Sequence, residues 1–111
     1  MGADPAPQTP HLLRVTNTAI GGRPEGGLVM VIDFANGDGV PEDLNEVELI
    51  LRSSAGTTTP GILQRNPETN GPHLAFTFDP KGADVSEFRV QLRTGGSALN
   101  EIWLYRWTKT T

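Results

Sequence analysis

The stretch that decides the fold reads Leu99-Asn100-Glu101-Ile102-Trp103-Leu104-Tyr105-Arg106-Trp107. It holds both tryptophans and the single tyrosine of a chain whose residues are only 6% aromatic. Successive side chains of a β-strand point to opposite faces of the sheet. Ile102 and Leu104 therefore share one face, and the three rings share the other. A strand that is apolar on both faces needs cover on both sides, one from the core of the domain and one from a second layer, a loop or another domain.

Further strands are predicted upstream, because apolar and polar residues alternate there. We expect strands over residues 11–18, 28–34, 46–53, 57–64, 73–79 and 85–94. Strand 28–34 is apolar on both faces, which predicts a central position in its sheet. Pro60 interrupts strand 57–64, which predicts an edge strand or two short pieces. A short helical turn is expected over residues 41–44, and the glycines of residues 94–97 predict a hairpin between the last two strands.

These elements predict an all-β fold, an immunoglobulin-like antiparallel β-sandwich of about seven strands. A small barrel is the competing fold. The chain has no cysteine, so the Cys–Trp–Cys pattern of antibody domains is missing and only the architecture is predicted. Its 111 residues correspond to one domain over residues 11–111, and the Pro- and Ala-rich residues 1–10 predict a linker or disordered tail.

Charge and hydropathy exclude several classes of function. The net charge is −4 and no basic stripe is present, which argues against binding to nucleic acid. The same charge gives no reason to bind an anionic membrane, and no apolar run approaches the roughly 20 residues of a membrane span. Residues 1–10 have neither the basic nor the apolar region of a signal peptide.

The aromatic row of Trp103, Tyr105 and Trp107 is the main candidate site. Rings two residues apart on one face of a strand stand about 7 Å apart, a spacing that suits stacking against successive sugar rings. The alternative, which the residue types favour, is that the row packs in the core or against another domain.

No catalytic residue, metal ligand or cofactor is predicted. A glycosidase needs two carboxylates about 5 to 9 Å apart across a cleft. Glu87 and Glu101 fall on hairpin-paired strands and could be neighbours, but they are expected to form a surface ladder with Arg89, Arg93 and Arg106. The strand carboxylates Asp33 and Asp79 suggest no site either. The two histidines, His11 and His73, are expected to face solvent, and thiolate ligands are absent.

Several segments together resemble a known family. They are Gly26-Gly27, Val31-Ile32-Asp33-Phe34, Glu87-Phe88-Arg89, Gly95-Gly96 and the opening stretch from Leu99 to Trp107. The chain from about Leu13 to Thr108 is similar to the C-terminal domain of the periplasmic glucan biosynthesis proteins, the G and D proteins of osmoregulated periplasmic glucan synthesis in Gram-negative bacteria. The family signature is structural and falls on Asp33, Phe34, Glu101, Trp103, Leu104 and Tyr105. Asn100, Ile102 and the pair Pro72-His73 depart from the usual Ser, Thr and Trp-Arg, which affects details of packing.

The resemblance implies an immunoglobulin-like domain that follows a much larger β-sandwich domain, to which the family's glucan-binding groove belongs. The expected role is a non-catalytic accessory domain. Its expected partners are that larger N-terminal domain and other glucan synthesis proteins or β-glucan. A periplasmic location is implied, with the signal peptide on the parent chain, and the G and D branches are not distinguished. The alternative function is a stand-alone carbohydrate-binding module that uses the aromatic row.

Overall fold

The computed structural model describes residues 12–24, 26–37 and 39–109. The predicted tail over residues 1–10 and His11 lie outside the described residues. Within this part of the chain the elements are, in order, β1 (Val15–Gly22), β2 (Leu28–Phe34), a 3₁₀ turn (Leu44–Glu46), β3 (Glu48–Ser53), β4 (Thr57–Thr58), β5 (Ile62–Arg65), β6 (Pro72–Asp79), β7 (Val85–Thr94), β8 (Ser97–Ala98) and β9 (Trp103–Thr108).

Two antiparallel sheets form a sandwich. The first sheet has the order β1-β2-β6, with β4 and β5 both paired to the free edge of β6. The second sheet has β7 at its centre, with β3 on one side and β8 and β9 on the other. If β4 and β5 are counted as one interrupted edge strand, and β8 and β9 as another, four strands face three. This is the strand order of a constant-type immunoglobulin domain. The predicted antiparallel sandwich of about seven strands is confirmed, and so is the central position of β2.

The core lies between the inward faces of the two sheets. Phe88 on β7 is fully buried, and its ring contacts those of Phe76, Phe78 and Tyr105 at centroid distances of 6.1, 4.7 and 6.4 Å. The other buried apolar side chains are Leu13, Met30, Ile32, Phe34, Leu74, Val90, Leu92 and Leu99. Strict alternation along β6 and β7 places these rings inward, because every second residue of a strand shares a face.

One strand and one helical turn differ in position from the prediction. The first strand was expected over residues 11–18, but β1 begins at Val15 and continues to Gly22, because Gly21 and Gly22 pair with Val29 and Leu28. Glycine lowers strand propensity but keeps the backbone groups that a ladder needs. The helical turn begins at Leu44 instead of Pro41, because the side chain of Asp43 caps it by accepting a hydrogen bond from the backbone N–H of Asn45 at 2.9 Å.

The final strand is broken, where the sequence predicts one continuous strand. Residues 99–102 separate β8 from β9, and the side chain of Asn100 explains the break. Asn100 is buried, and its Oδ1 accepts a hydrogen bond from the backbone N–H of Leu92 at 2.7 Å. The backbone N–H of Leu99 donates to the carbonyl of Leu92 at 2.7 Å. A side chain thus takes a place in the ladder that a backbone carbonyl normally fills.

Candidate functional site

The aromatic row faces the opposite sheet. Trp103, Tyr105 and Trp107 are half-buried and pack against the core cluster. The rings of Trp103 and Tyr105 stack on each other, with centroids 5.6 Å apart and planes at 8°. Trp107 meets Phe78 edge to face at 5.4 Å. Each ring therefore uses at least one face or edge for a contact inside the domain. Sugar stacking by this row stays a prediction.

The outward face of β9 carries the exposed apolar residues. Leu104 is 67% exposed, and Ile102, just before the strand, is 44% exposed. Glu101 lies in the break before β9 and is exposed, whereas Phe34 at the end of β2 is buried in the core. The signature residues thus do not converge on one cleft.

A buried carboxylate lies at the C-terminal end of β2. Asp33 is only 8% exposed and lies opposite His73 in the β2–β6 pair. The Nδ1–H of His73 donates to Oδ1 of Asp33 at 2.6 Å, since a carboxylate can only accept. Nδ2 of Asn66 donates to the same oxygen at 3.2 Å. This Asp33 network joins β2, β6 and the turn after β5.

The network also sets the proton affinity of Asp33. Burial alone raises the pKa of a carboxyl, because the charged form loses hydration. Hydrogen bonds from His73 and Asn66, with the positive charge that His73 carries when protonated, outweigh burial and hold the pKa of Asp33 below its ordinary value of 3.8. Asp33 is therefore an ionised, well-satisfied carboxylate at neutral pH and a weak base.

The sequence did not predict this network. His73 was expected to face solvent; it lies on the outward face of β6 and its side chain is 32% exposed, but its Nδ1 is held against Asp33. A signal was available: Asp33 is the one charged residue in the otherwise apolar strand Leu28–Phe34, and a charge at such a place needs a partner. The identity of that partner depends on the pairing of two strands that are far apart in sequence.

The other strand carboxylates do not form a catalytic pair. Glu87 lies opposite Arg106 in the β7–β9 pair, and both are exposed. Glu101 is beyond Trp103, which pairs with Val90, so the expected neighbourhood of Glu87 and Glu101 is wrong. Asp79 is exposed and lies 3.6 Å from Nζ of Lys81.

The outer face of the first sheet is uncharged across its middle. Ala19, Val31, Ala75 and Ile62 stand side by side on four neighbouring strands. The next row contains Gly21, Val29 and Thr77, with Thr59 hydrogen-bonded to Thr77. Ile62 is 63% exposed and borders a shallow groove between β5 and β6. We call these two rows the uncharged face.

Among the described residues, no group of three or more His, Cys, Asp or Glu side chains is placed to hold a metal ion. None of the helical segments within this part of the chain has the length and apolar character needed to cross a membrane.

Comparison with known proteins then decides the family. The family model described as "Periplasmic glucan biosynthesis protein, MdoG" matches residues 1–107. The chain belongs to this family. The resemblance noted in the sequence is thereby confirmed, and the family has a role in glucan biosynthesis.

Curated relatives agree with this assignment. The chain is similar to glucans biosynthesis protein G of Shewanella frigidimarina, with 39% identity over 72% of this chain and 14% of the relative. It is also similar to the proteins of the same name from Vibrio cholerae, with 34% identity over 96% of this chain and 20% of the relative, and Bradyrhizobium diazoefficiens, with 30% over 96% and 21%. The chain thus spans about a fifth or less of the length of these family members.

Proposed function

We propose that this chain is a non-catalytic interaction domain of a periplasmic glucan biosynthesis protein. In this proposal its work is to pack, through the uncharged face, on a larger glucan-acting part of the same protein. The observation that carries the proposal is the apolar row of Ala19, Val31, Ala75 and Ile62, which crosses all four strands of the first sheet.

The composition of this face supports a permanent protein contact. β2 is apolar on both sides, a pattern typical of a strand that is covered on both faces. The cores of protein interfaces are depleted in charge, and the most apolar interfaces belong to permanent assemblies. Among the residues that the structure describes, the carboxylates next to the two rows are Asp33, which is already bonded to His73, and Asp79 at the far end of β6.

The size of the relatives supports the proposed occupant. About four-fifths of the Vibrio cholerae protein lies outside the segment that matches this chain. A segment of that length is large enough to supply a surface that covers four strands. The proposal also places this chain in the periplasm, in keeping with the description of its family.

The low pKa and the hydrogen bonds of Asp33 support a non-catalytic role. A general base works best when its pKa lies near the operating pH. The pKa of Asp33 is held below its ordinary value, and its Oδ1 already accepts two hydrogen bonds. This carboxylate is built to hold β2, β6 and the turn after β5 together.

The test is a docking titration with a matched pair of variants. The isotope-labelled chain is titrated with the Vibrio cholerae relative from which the segment that matches this chain has been removed. The removed segment, titrated in the same way, is the positive control. Ile62→Glu places a charge on the uncharged face and is expected to weaken binding about tenfold or more. Val85→Glu makes the same kind of change at an exposed apolar site of β7 on the other sheet and is expected to leave binding unchanged.

Amide shift changes in the unmutated chain are expected on β1, β2, β5 and β6. The proposal fails if the control segment binds and this chain does not. It also fails if Ile62→Glu binds as well as the unmutated chain, or if Val85→Glu weakens binding and Ile62→Glu does not.

A further inference from the structure

A pair of arginines faces outward from the second sheet. Arg52 on β3 and Arg89 on β7 are directly opposite each other, and both are exposed. Like charges at directly opposed positions of neighbouring strands destabilise a sheet. Among the described residues neither guanidinium group makes an ion pair or a hydrogen bond.

The other arginines of this face are balanced by the register. Arg93 lies opposite Glu48, and Arg106 lies opposite Glu87. The outward residues of β3, β7 and β9 thus carry four arginines and two glutamates, in a chain with a net charge of −4. The unbalanced positive charge is concentrated at Arg52 and Arg89.

An exposed apolar residue completes the patch. Leu104 on β9 is directly opposite Arg89, on the side away from Arg52, and is 67% exposed. The residues Arg52, Arg89, Leu104 and Glu87 line one shallow groove, together with Ile50. A ligand in this groove would meet two guanidinium groups, apolar side chains and one carboxylate, that of Glu87, which lies opposite Arg106 in the β7–β9 pair.

We propose that Arg52, Arg89 and Leu104 form a docking site for an acidic protein segment, in which carboxylates flank an apolar side chain. Guanidinium groups bind carboxylates through paired hydrogen bonds, and arginine is enriched in protein interfaces. A carboxylate above the pair would remove the repulsion between the arginines, and the neighbouring apolar side chain would cover Leu104.

A protein segment fits this site better than a membrane or a nucleic acid. The chain as a whole carries a net charge of −4 and repels an extended polyanion, whereas a short segment contacts only the local patch. The site is on the opposite side of the sandwich from the uncharged face, so it does not depend on the proposed function. Both faces can be occupied at once.

The probe is a short acetylated peptide with the central sequence Glu-Glu-Leu-Glu-Glu, titrated into the isotope-labelled chain up to millimolar concentration. The control peptide has glutamine in place of each glutamate. We expect saturable shifts around Arg52, Arg89 and Leu104 for the acidic peptide, weaker at high salt, and none for the glutamine peptide. Arg89→Glu is expected to weaken binding about tenfold or more, and Arg14→Glu, the same change at an exposed site just before β1, to leave it unchanged.

A second measurement separates binding from folding. Because the two arginines repel each other in the free domain, Arg89→Gln is expected to keep or raise the thermal midpoint while it weakens peptide binding. The proposal is overturned if Arg89→Gln lowers the midpoint together with binding. It is also overturned if the acidic peptide does not bind, if the glutamine peptide binds equally, if vesicles of anionic phospholipid bind in its place, or if Arg89→Glu only abolishes self-association of the chain.

Discussion

Gly71→Ala is expected to destabilise the domain by about 3 kcal/mol or more, because the added methyl group has no space. Gly71 is buried just before β6, where the turn after β5 approaches the end of β2. A Cβ at this position would clash with the carbonyl oxygen of Phe34 and stand 2.9 Å from the backbone nitrogen of Asn36. Both neighbours are backbone atoms, so no side-chain rotation relieves the clash.

The same substitution should loosen the Asp33 network. The backbone N–H of Asn66 donates to the carbonyl of Gly71 at 2.8 Å, so a shift of Gly71 moves Asn66 away from Asp33. Unfolding in urea measures the loss of stability, and the His73 ring resonances report on the network. Gly22→Ala is the matched control, since a Cβ there meets nothing within 4 Å, and its effect should stay within about 0.5 kcal/mol. Equal urea midpoints for Gly71→Ala and the unmutated chain would contradict this account of the close approach.

Asp33→Asn is the substitution with the second large effect. It is expected to lower the free energy of unfolding by about 1–3 kcal/mol at neutral pH. The substitution removes the charge that accepts hydrogen bonds from His73 and Asn66 inside a mostly buried site. An asparagine oxygen still accepts a hydrogen bond, but the charge-assisted character of the bond from His73 is lost. Asp79→Asn is the control, because Asp79 is exposed and its pairing with Lys81 contributes little.

The same variant tests the pH dependence. The pKa of Asp33 is lowered in the folded chain, so the unfolded chain binds a proton there more readily. The stabilisation from Asp33 is fully present above the ordinary value of 3.8 and is lost as the pH falls through the lower folded value. Unfolding free energies measured from about pH 5 to about pH 2 should therefore fall less steeply in Asp33→Asn than in the unmutated chain. Parallel curves would show that Asp33 keeps an ordinary pKa in the fold.

Local alternation was enough to predict most of the fold. The bounds of β7 match the prediction residue for residue, because Ser86, Phe88, Val90 and Leu92 are buried and alternate with outward polar side chains. Pro60 correctly marked the interruption of the edge strand between β4 and β5. These features depend on residues that are close in sequence, and such residues determine which face of a strand is buried.

The candidate sites depend on pairings that local sequence does not specify. The opposition of Arg52 and Arg89 follows from the register of β3 and β7, which are separated by three other strands along the chain. The contact between Asp33 and His73 depends in the same way on β2 and β6. The break before β9 was not predicted, because the side chain of Asn100 replaces a backbone hydrogen-bond partner. Hydrophobic periodicity contains no signal for such a replacement.

The central claim is that this domain works through contacts with polypeptide, and that its aromatic row serves packing. The most direct measurement is a titration of the isotope-labelled chain with linear β-1,2-linked glucooligosaccharides, followed by amide and indole shifts. The account predicts no saturable shifts for Trp103, Tyr105 and Trp107 up to millimolar sugar, since their rings are engaged with each other and with Phe78 and Phe88. Saturable shifts clustered on those three residues would contradict it and would make the domain a carbohydrate-binding module.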